Sequence, residues 1–226
     1  MNKIPGYLQF SLTLLLAAQT ADAQTIENID LKGIKIGNQN WQIRNLDVST
    51  FRNGDEIPQA KSLDELLLIG ETNPSWCYYN FDPANGEKYG KLYNWYTVND
   101  SRGLCPSGWH VPSNNEWITL IDFLGGDSIA GTKMKTTGDW KNGNGTNTSG
   151  FAGLPSGAGG YRKGGEDLFF NFIGNNGAWW SSAKVDAEKD NTQKTAWIFV
   201  LSFDNTKVDM VQNYKARRVS VRCIRD

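Results

Sequence analysis

Residues 108–126 read GWHVPSNNEWITLIDFLGG, the strongest local signal in the chain. Ser113 stands as a helix N-cap with Glu116 three residues on, the spacing at which each side chain satisfies a backbone N–H that the helix start leaves without a partner. Trp117, Leu120, Ile121 and Leu124 then recur at the i, i+3, i+4, i+7 positions of one helical face, and Gly125 supplies a left-handed stop. The spacing predicts a capped helix whose apolar face is buried against a core.

Upstream, residues 31–41 place Ile34, Ile36 and Trp41 around Gly33 and Gly37, with Asn38-Gln39-Asn40 as punctuation, which predicts a hairpin. Residues 45–58 are polar and turn-rich. A short helix is expected over 62–68, with Leu63, Leu66 and Leu67 on one face, and a second over 89–99, where Leu92, Trp95, Tyr96 and Asn99 fall at helical spacing. Downstream, residues 127–161 are dense in Gly, Asn, Thr and Ser and read as a long excursion pinned by Trp140, Phe151 and Leu154. Its run of Gly157, Gly159 and Gly160 lacks the lysine ending and the flanking elements of a phosphate loop. The tail predicts strands over 178–182, 195–203, 207–211 and 219–224, with Asp204-Asn205 as a turn. Helix signals come ahead of many short strands, a pattern compatible with the α+β class, and no repeat or linker splits the chain, so one domain is expected.

The amino terminus, MNKIPGYLQFSLTLLLAAQTADAQ, carries Lys3, an apolar run over 8–18 and the small-x-small site Ala21-Asp22-Ala23. Residues 1–23 are therefore expected to be a cleaved signal peptide, and 24–226 the exported domain, secreted or held at the cell surface. The apolar run falls well short of the roughly 20 residues that cross a bilayer, so no membrane span is expected. The formal net charge is -1, which argues against nucleic acid as a partner. Basic residues cluster only at Lys215, Arg217, Arg218, Arg222 and Arg225, where alternation with Val219, Val221 and Ile224 reads as the solvated face of a last strand. The chain holds 24 Gly, 9 Trp, 8 Tyr and 10 Phe, the composition of a loop-rich domain held by aromatic clusters rather than by long helices.

Three cysteines, Cys77, Cys105 and Cys223, would enter the oxidising side of the membrane, where one disulfide and one leftover thiol are expected. Spacing does not give the pairing. With no C-x-x-C element and His110 the sole histidine, a structural zinc site has almost no ligands, and neither a metal nor a cofactor is expected.

Several segments taken together, NQNWQIRNLDV, YGKLYNWYTV, LCPSGWHVPSNNEW, SGFAGLPSGAGGYR, WWSS and SVRCIRD, resemble the Fibrobacter succinogenes major paralogous domain family of exported bacterial proteins, over nearly all of 31–226. That family is in turn similar to the formylglycine-generating-enzyme, or sulfatase-modifying-factor, branch of the C-type-lectin-like fold. The resemblance implies a few short helices flanking small, twisted antiparallel sheets, with long loops displayed on one side. It also implies a disulfide between Cys105 and Cys223, leaving Cys77 unpaired. Such a bridge closes a long loop and is worth about 4–5 kcal/mol in the chain-entropy model.

The reading that follows is a non-enzymatic binding or structural domain whose ligand is a glycan or a protein. Trp76, Tyr78, Tyr79, Trp179 and Trp180 are the candidate stacking residues, against the simpler expectation that tryptophans in such a domain are core. A formylglycine-generating oxidase needs a pair of reactive thiolates, which a Cys105–Cys223 bridge removes. His110, between Trp109 and Val111 on an expected strand, reads as packed rather than catalytic. A calcium-dependent lectin is the other alternative: its Glu-Pro-Asn, Gln-Pro-Asp and Trp-Asn-Asp motifs are missing, leaving Asp186, Asp190 and the Asp204-Asn205 turn as the oxygen ligands on offer.

Overall fold

The computed structural model describes residues 33–161, 168–186, 190 and 192–226. The expected signal peptide, residues 1–23, lies outside them. Strands β1 (Gly33–Ile36) and β2 (Gln39–Gln42) form the expected hairpin, with Ile36 opposite Gln39 and Gly37 turning at φ +62°. Helix α1 (Leu63–Ile69) starts where Ser62 accepts from the Glu65 amide.

The helix expected over 89–99 is broken into three pieces. Strand β3 (Trp76–Cys77) precedes helix α2 (Pro83–Tyr89), which stops at Gly90 with φ +74°. The chain then runs extended through β4 (Leu92–Tyr93), paired with β3, before Asn94 caps a single turn, α3 (Trp95–Val98). Helical spacing is present here, but a left-handed glycine and a buried strand partner override it.

After β5 (Trp109–His110) comes the helix read from the sequence, α4 (Asn114–Phe123). Its capping box is formed: Ser113 Oγ accepts from Glu116 N, and Glu116 Oε2 accepts from Ser113 N at 2.8 Å. Trp117, Leu120 and Ile121 are buried, as the periodicity requires.

The stretch expected to be irregular holds a second helix, α5 (Asp127–Met134), which buries Ala130, Gly131 and Met134. A side chain at Gly131 would run into the Thr206 and Lys207 carbonyl oxygens, so the small residue is what lets the helix lie against that turn. Strands β6 (Ser156–Tyr161), β7 (Leu168–Ile173), β8 (Asn176–Lys184), β9 (Thr195–Ser202), β10 (Val208–Tyr214) and β11 (Ile224–Arg225) complete the chain.

The strands assemble as a four-stranded sheet β1-β2-β11-β5, a three-stranded sheet β10-β9-β8, and the pairs β3-β4 and β6-β7. The fold is α+β: short helices around several small antiparallel sheets. Trp117 is the hub between α4 and the sheets, 4.8 Å from Trp41 and stacked 4.9 Å from Phe199, centroid to centroid. Cys105 and Cys223 are bonded, 118 positions apart in sequence, and pin the closing segment to the chain just ahead of β5.

The basic carboxyl-terminal cluster is not a solvated strand face. Arg218 and Arg222 are fully buried, as are Val219 and Val221, and Lys215 is nearly so. The segment before β11 runs through the interior, bridged singly to Gly159, Tyr93 and Trp179 through Arg218, Val219 and Ser220, so both sets of alternating side chains are covered. Alternation had suggested one wet face; a segment enclosed on all sides has none.

Candidate functional site

A cleft of about 500 Å³ opens between three segments distant in sequence. One wall is residues 43–47, where Arg44 and Asp47 are exposed. The second is the end of α2, residues 86–90, with Glu87, Lys88 and the half-buried ring of Tyr89. The third is formed by Thr136 with Gly150, Ala152 and Leu154. Asp82 caps the start of α2 and Gly90 ends it, so Tyr89 falls on the last turn. Ala152 holds φ +53°, and its N–H donates to Asn147 Oδ1 at 2.8 Å. An alanine in the left-handed region persists only where surrounding structure fixes it, and such positions concentrate at binding sites.

Asn45 forms the floor. It is buried and uses its whole amide: Nδ2 donates to the Tyr89 carbonyl at 2.9 Å and to Ser220 Oγ at 3.2 Å, while Oδ1 accepts from Trp179 Nε1 and from Arg222 Nη2, both at 2.8 Å. Arg222 also donates to the Phe151 carbonyl and lies 4.2 Å over the Phe151 ring. Burial pulls its pKa down to about 9, which leaves the guanidinium charged at neutral pH. At the rim, Lys91 Nζ sits 2.7 Å from Asp47 Oδ1, and Lys88 Nζ 3.0 Å from Asp139 Oδ1.

Four of the five expected stacking residues are core. Trp179 and Trp180 are 0 % exposed, and Trp76 and Tyr79 are buried too. Their indole N–H groups point inward: Trp179 to Asn45, Trp180 to the Tyr93 carbonyl at 2.8 Å, Trp76 to the Ile57 carbonyl at 3.0 Å. A sugar stacks on an exposed ring, and none of these offers one. Trp76 instead packs edge-on against Tyr78 and carries the Lys91 ammonium 4.5 Å over its face. Tyr78 is half-buried, and its pKa is raised by burial and by the Asp47 carboxylate. Tyr89 was not singled out in the sequence; the Lys-Tyr-Gly ending of α2 was the available signal.

Of the oxygen groups on offer to calcium, Asp186 is exposed, while Asp190 and the carbonyls at the Asp204-Asn205 turn are already engaged. Asp190 accepts from the amides and hydroxyls of Thr192 and Thr195, which hold its carboxyl far below the usual range. Behind the Asp204-Asn205 turn, the Lys135 ammonium donates to the carbonyls of Ser202 and Asn205 at 2.7 and 2.6 Å, standing where a cation would. Among the described residues no three His, Cys, Asp or Glu side chains are grouped as metal ligands. Cys77 is free and buried, and desolvation pushes its thiol up to about 12, so it carries no thiolate at neutral pH.

His110 is not packed in the core. Its ring is half-exposed and bracketed: Nδ1 lies 2.6 Å from Asp226 Oδ1 and Nε2 lies 2.7 Å from Glu116 Oε1. It thereby ties the last residue to the capping box of α4. The hydroxyl beside this line, Ser113 Oγ, donates to Glu116 Oε2 at 2.8 Å, and both imidazole nitrogens are taken by carboxylates, so the line reads as a staple rather than a nucleophile's base.

Among the described residues no helix is long and apolar enough to cross a membrane. Neither a curated protein nor a solved structure matches the chain. The model of the Fibrobacter succinogenes major domain matches residues 34–225, which spans the first hairpin, the cleft, the disulfide and the closing strand. The chain therefore belongs to the Fibrobacter succinogenes major domain family.

Proposed function

We propose that this is an exported, non-enzymatic binding module of C-type-lectin-like architecture, and that its ligand, a glycan, enters the cleft between residues 43–47, the end of α2 and residues 150–154. The observation that carries the reading is the composition of that cleft: Arg44, Glu87 and one half-exposed ring, Tyr89, around a floor locked by Asn45. Saccharides present hydroxyl groups for such polar side chains and an apolar ring face for a tyrosine. The fold reading is supported by the pairing of β2, near the start of the domain, with β11 at its end, which closes the chain into one long loop. The non-enzymatic reading is supported by the disulfide that takes two of the three thiols and by the depth of the third. Export through a signal peptide at 1–23 is checked by the amino-terminal mass of protein recovered outside the cell.

The test is a glycan array probed with the wild type and Tyr89→Ala, with and without a calcium chelator. We expect chelator-resistant binding that Tyr89→Ala abolishes. Binding lost on chelation would favour a calcium-dependent lectin. Oxidase or glycosidase turnover by the purified protein would overturn the non-enzymatic reading.

A further inference from the structure

We infer that the glycan taken by this cleft is acidic, a saccharide bearing carboxylate or sulfate groups; the inference rests on the reading of the cleft as the binding site. Two of the four charged groups on the rim are neutralised within the protein, Asp47 by Lys91 and Lys88 by Asp139. Arg44 and Glu87 remain, neither with an oppositely charged group within 4.0 Å among the described residues, and they cancel. The balance is decided by the charge beneath the floor.

Arg222 is fully buried and has no carboxylate within 4.0 Å among the described residues. Its two terminal nitrogens hold Asn45 and the Phe151 carbonyl, and its Nε has no hydrogen-bond partner. Asn45 lines the cleft, and Phe151 sits between Gly150 and Ala152, which line it as well. One layer of residues thus separates a buried, uncompensated guanidinium from the bound ligand. Salt screens a charge in the interior far less than one on the surface, so its field reaches the cleft where a rim charge would be blunted. Isolated buried charge is costly, and an anion docked above it offsets part of that cost. Arg44 at the mouth adds a planar fork suited to a carboxylate or sulfate.

The experiment compares a panel of uronate oligomers and sulfated glycans with their methyl-esterified and desulfated counterparts by calorimetry, on the whole protein and on Arg44→Gln, whose exposed side chain is not needed for folding. An acidic member should bind about tenfold or more tighter than its neutral counterpart, the scale of one charge-assisted contact, and Arg44→Gln should reduce that difference without abolishing it, since Arg222 still lies beneath the floor. The advantage should shrink but persist as salt is raised, since the Arg222 field is interior. Equal binding of acidic and neutral partners, lost in Tyr89→Ala, overturns the inference and leaves the cleft as the site. Absence of binding across both halves of the panel overturns the inference and the cleft reading together.

Discussion

Asn45 Oδ1 accepts a hydrogen bond from Arg222 Nη2 at 2.8 Å, joining residues 177 positions apart at the base of the cleft. The same oxygen accepts from Trp179 Nε1, so one small amide satisfies two large buried donors, one from β8 and one from the segment just before β11. Replacing it by alanine strips both donors of a partner at once. Leaving a buried donor unsatisfied costs about 1–3 kcal/mol, more when it is charged. Asn45→Ala should therefore lower stability by about 3 kcal/mol or more in denaturant unfolding, with the slope of the transition unchanged.

The disulfide should show itself in a thiol count. Native protein should react with no thiol reagent, because Cys77 is buried and the other two sulfurs are bonded. Unfolded without reductant it should yield one thiol. Cys105→Ser should lower stability by about 4–5 kcal/mol, the loop-closure entropy released on opening a ring of this length, whereas Cys77→Ala should cost no more than about 1–2 kcal/mol of lost packing.

The His110 staple makes stability depend on pH in a definite direction. Burial pulls the imidazole pKa down, but hydrogen bonds and charge from Asp226 and Glu116 outweigh it, so the folded value lies above the ordinary 6.5. A raised folded pKa means that the native state holds a proton which the unfolded chain releases. The contribution is then complete below 6.5 and lost as pH climbs through the folded value. Glu116 is shifted the other way: burial pushes it up, but the Ser113 and His110 hydrogen bonds bring it below the usual 4.5, so its contribution is lost on acidification. The Tm difference between wild type and His110→Gln should accordingly be largest between these limits and shrink on the alkaline side.

Gly131→Ala sets helix propensity against packing. Alanine favours a helix interior by about 1 kcal/mol over glycine. At Gly131 its methyl would collide with the Lys207 carbonyl oxygen and lie 2.7 Å from that of Thr206, both backbone atoms. Overpacking of this kind costs about 1–3 kcal/mol, so the variant should be less stable than wild type in thermal unfolding. A more stable variant would mean that α5 stands off the turn.

What the sequence made legible follows from how local each signal is. Helix α4 was legible to its cap because Ser113, Glu116 and the apolar face are all contained in one stretch. Helix α5 was not, because it packs through Ala130 and Gly131 and so shows no apolar stripe. The interruption at 90–94 depends on β3, a partner outside the segment. Arg218 and Arg222 alternate with valines as they would on a half-wet strand, and only the chain passing around them makes both sides interior. The abundance of aromatics pointed to core packing, yet nothing local distinguished Trp179, held inward by Asn45, from Tyr89, which faces the cleft. The cleft itself is assembled from residues about one hundred positions apart, a distance over which pattern reading has no purchase.

Ligand entry between residues 43–47, the end of α2 and residues 150–154, as proposed above, can be followed through the backbone amide resonances of the labelled protein while the best-bound glycan is titrated in. Shifts are expected to concentrate at Arg44, Asp47, Tyr89, Gly90, Gly150 and Ala152. Shifts gathered instead along the exposed edge of β10, or around the exposed ring of Phe172, with the cleft amides unmoved, would contradict it.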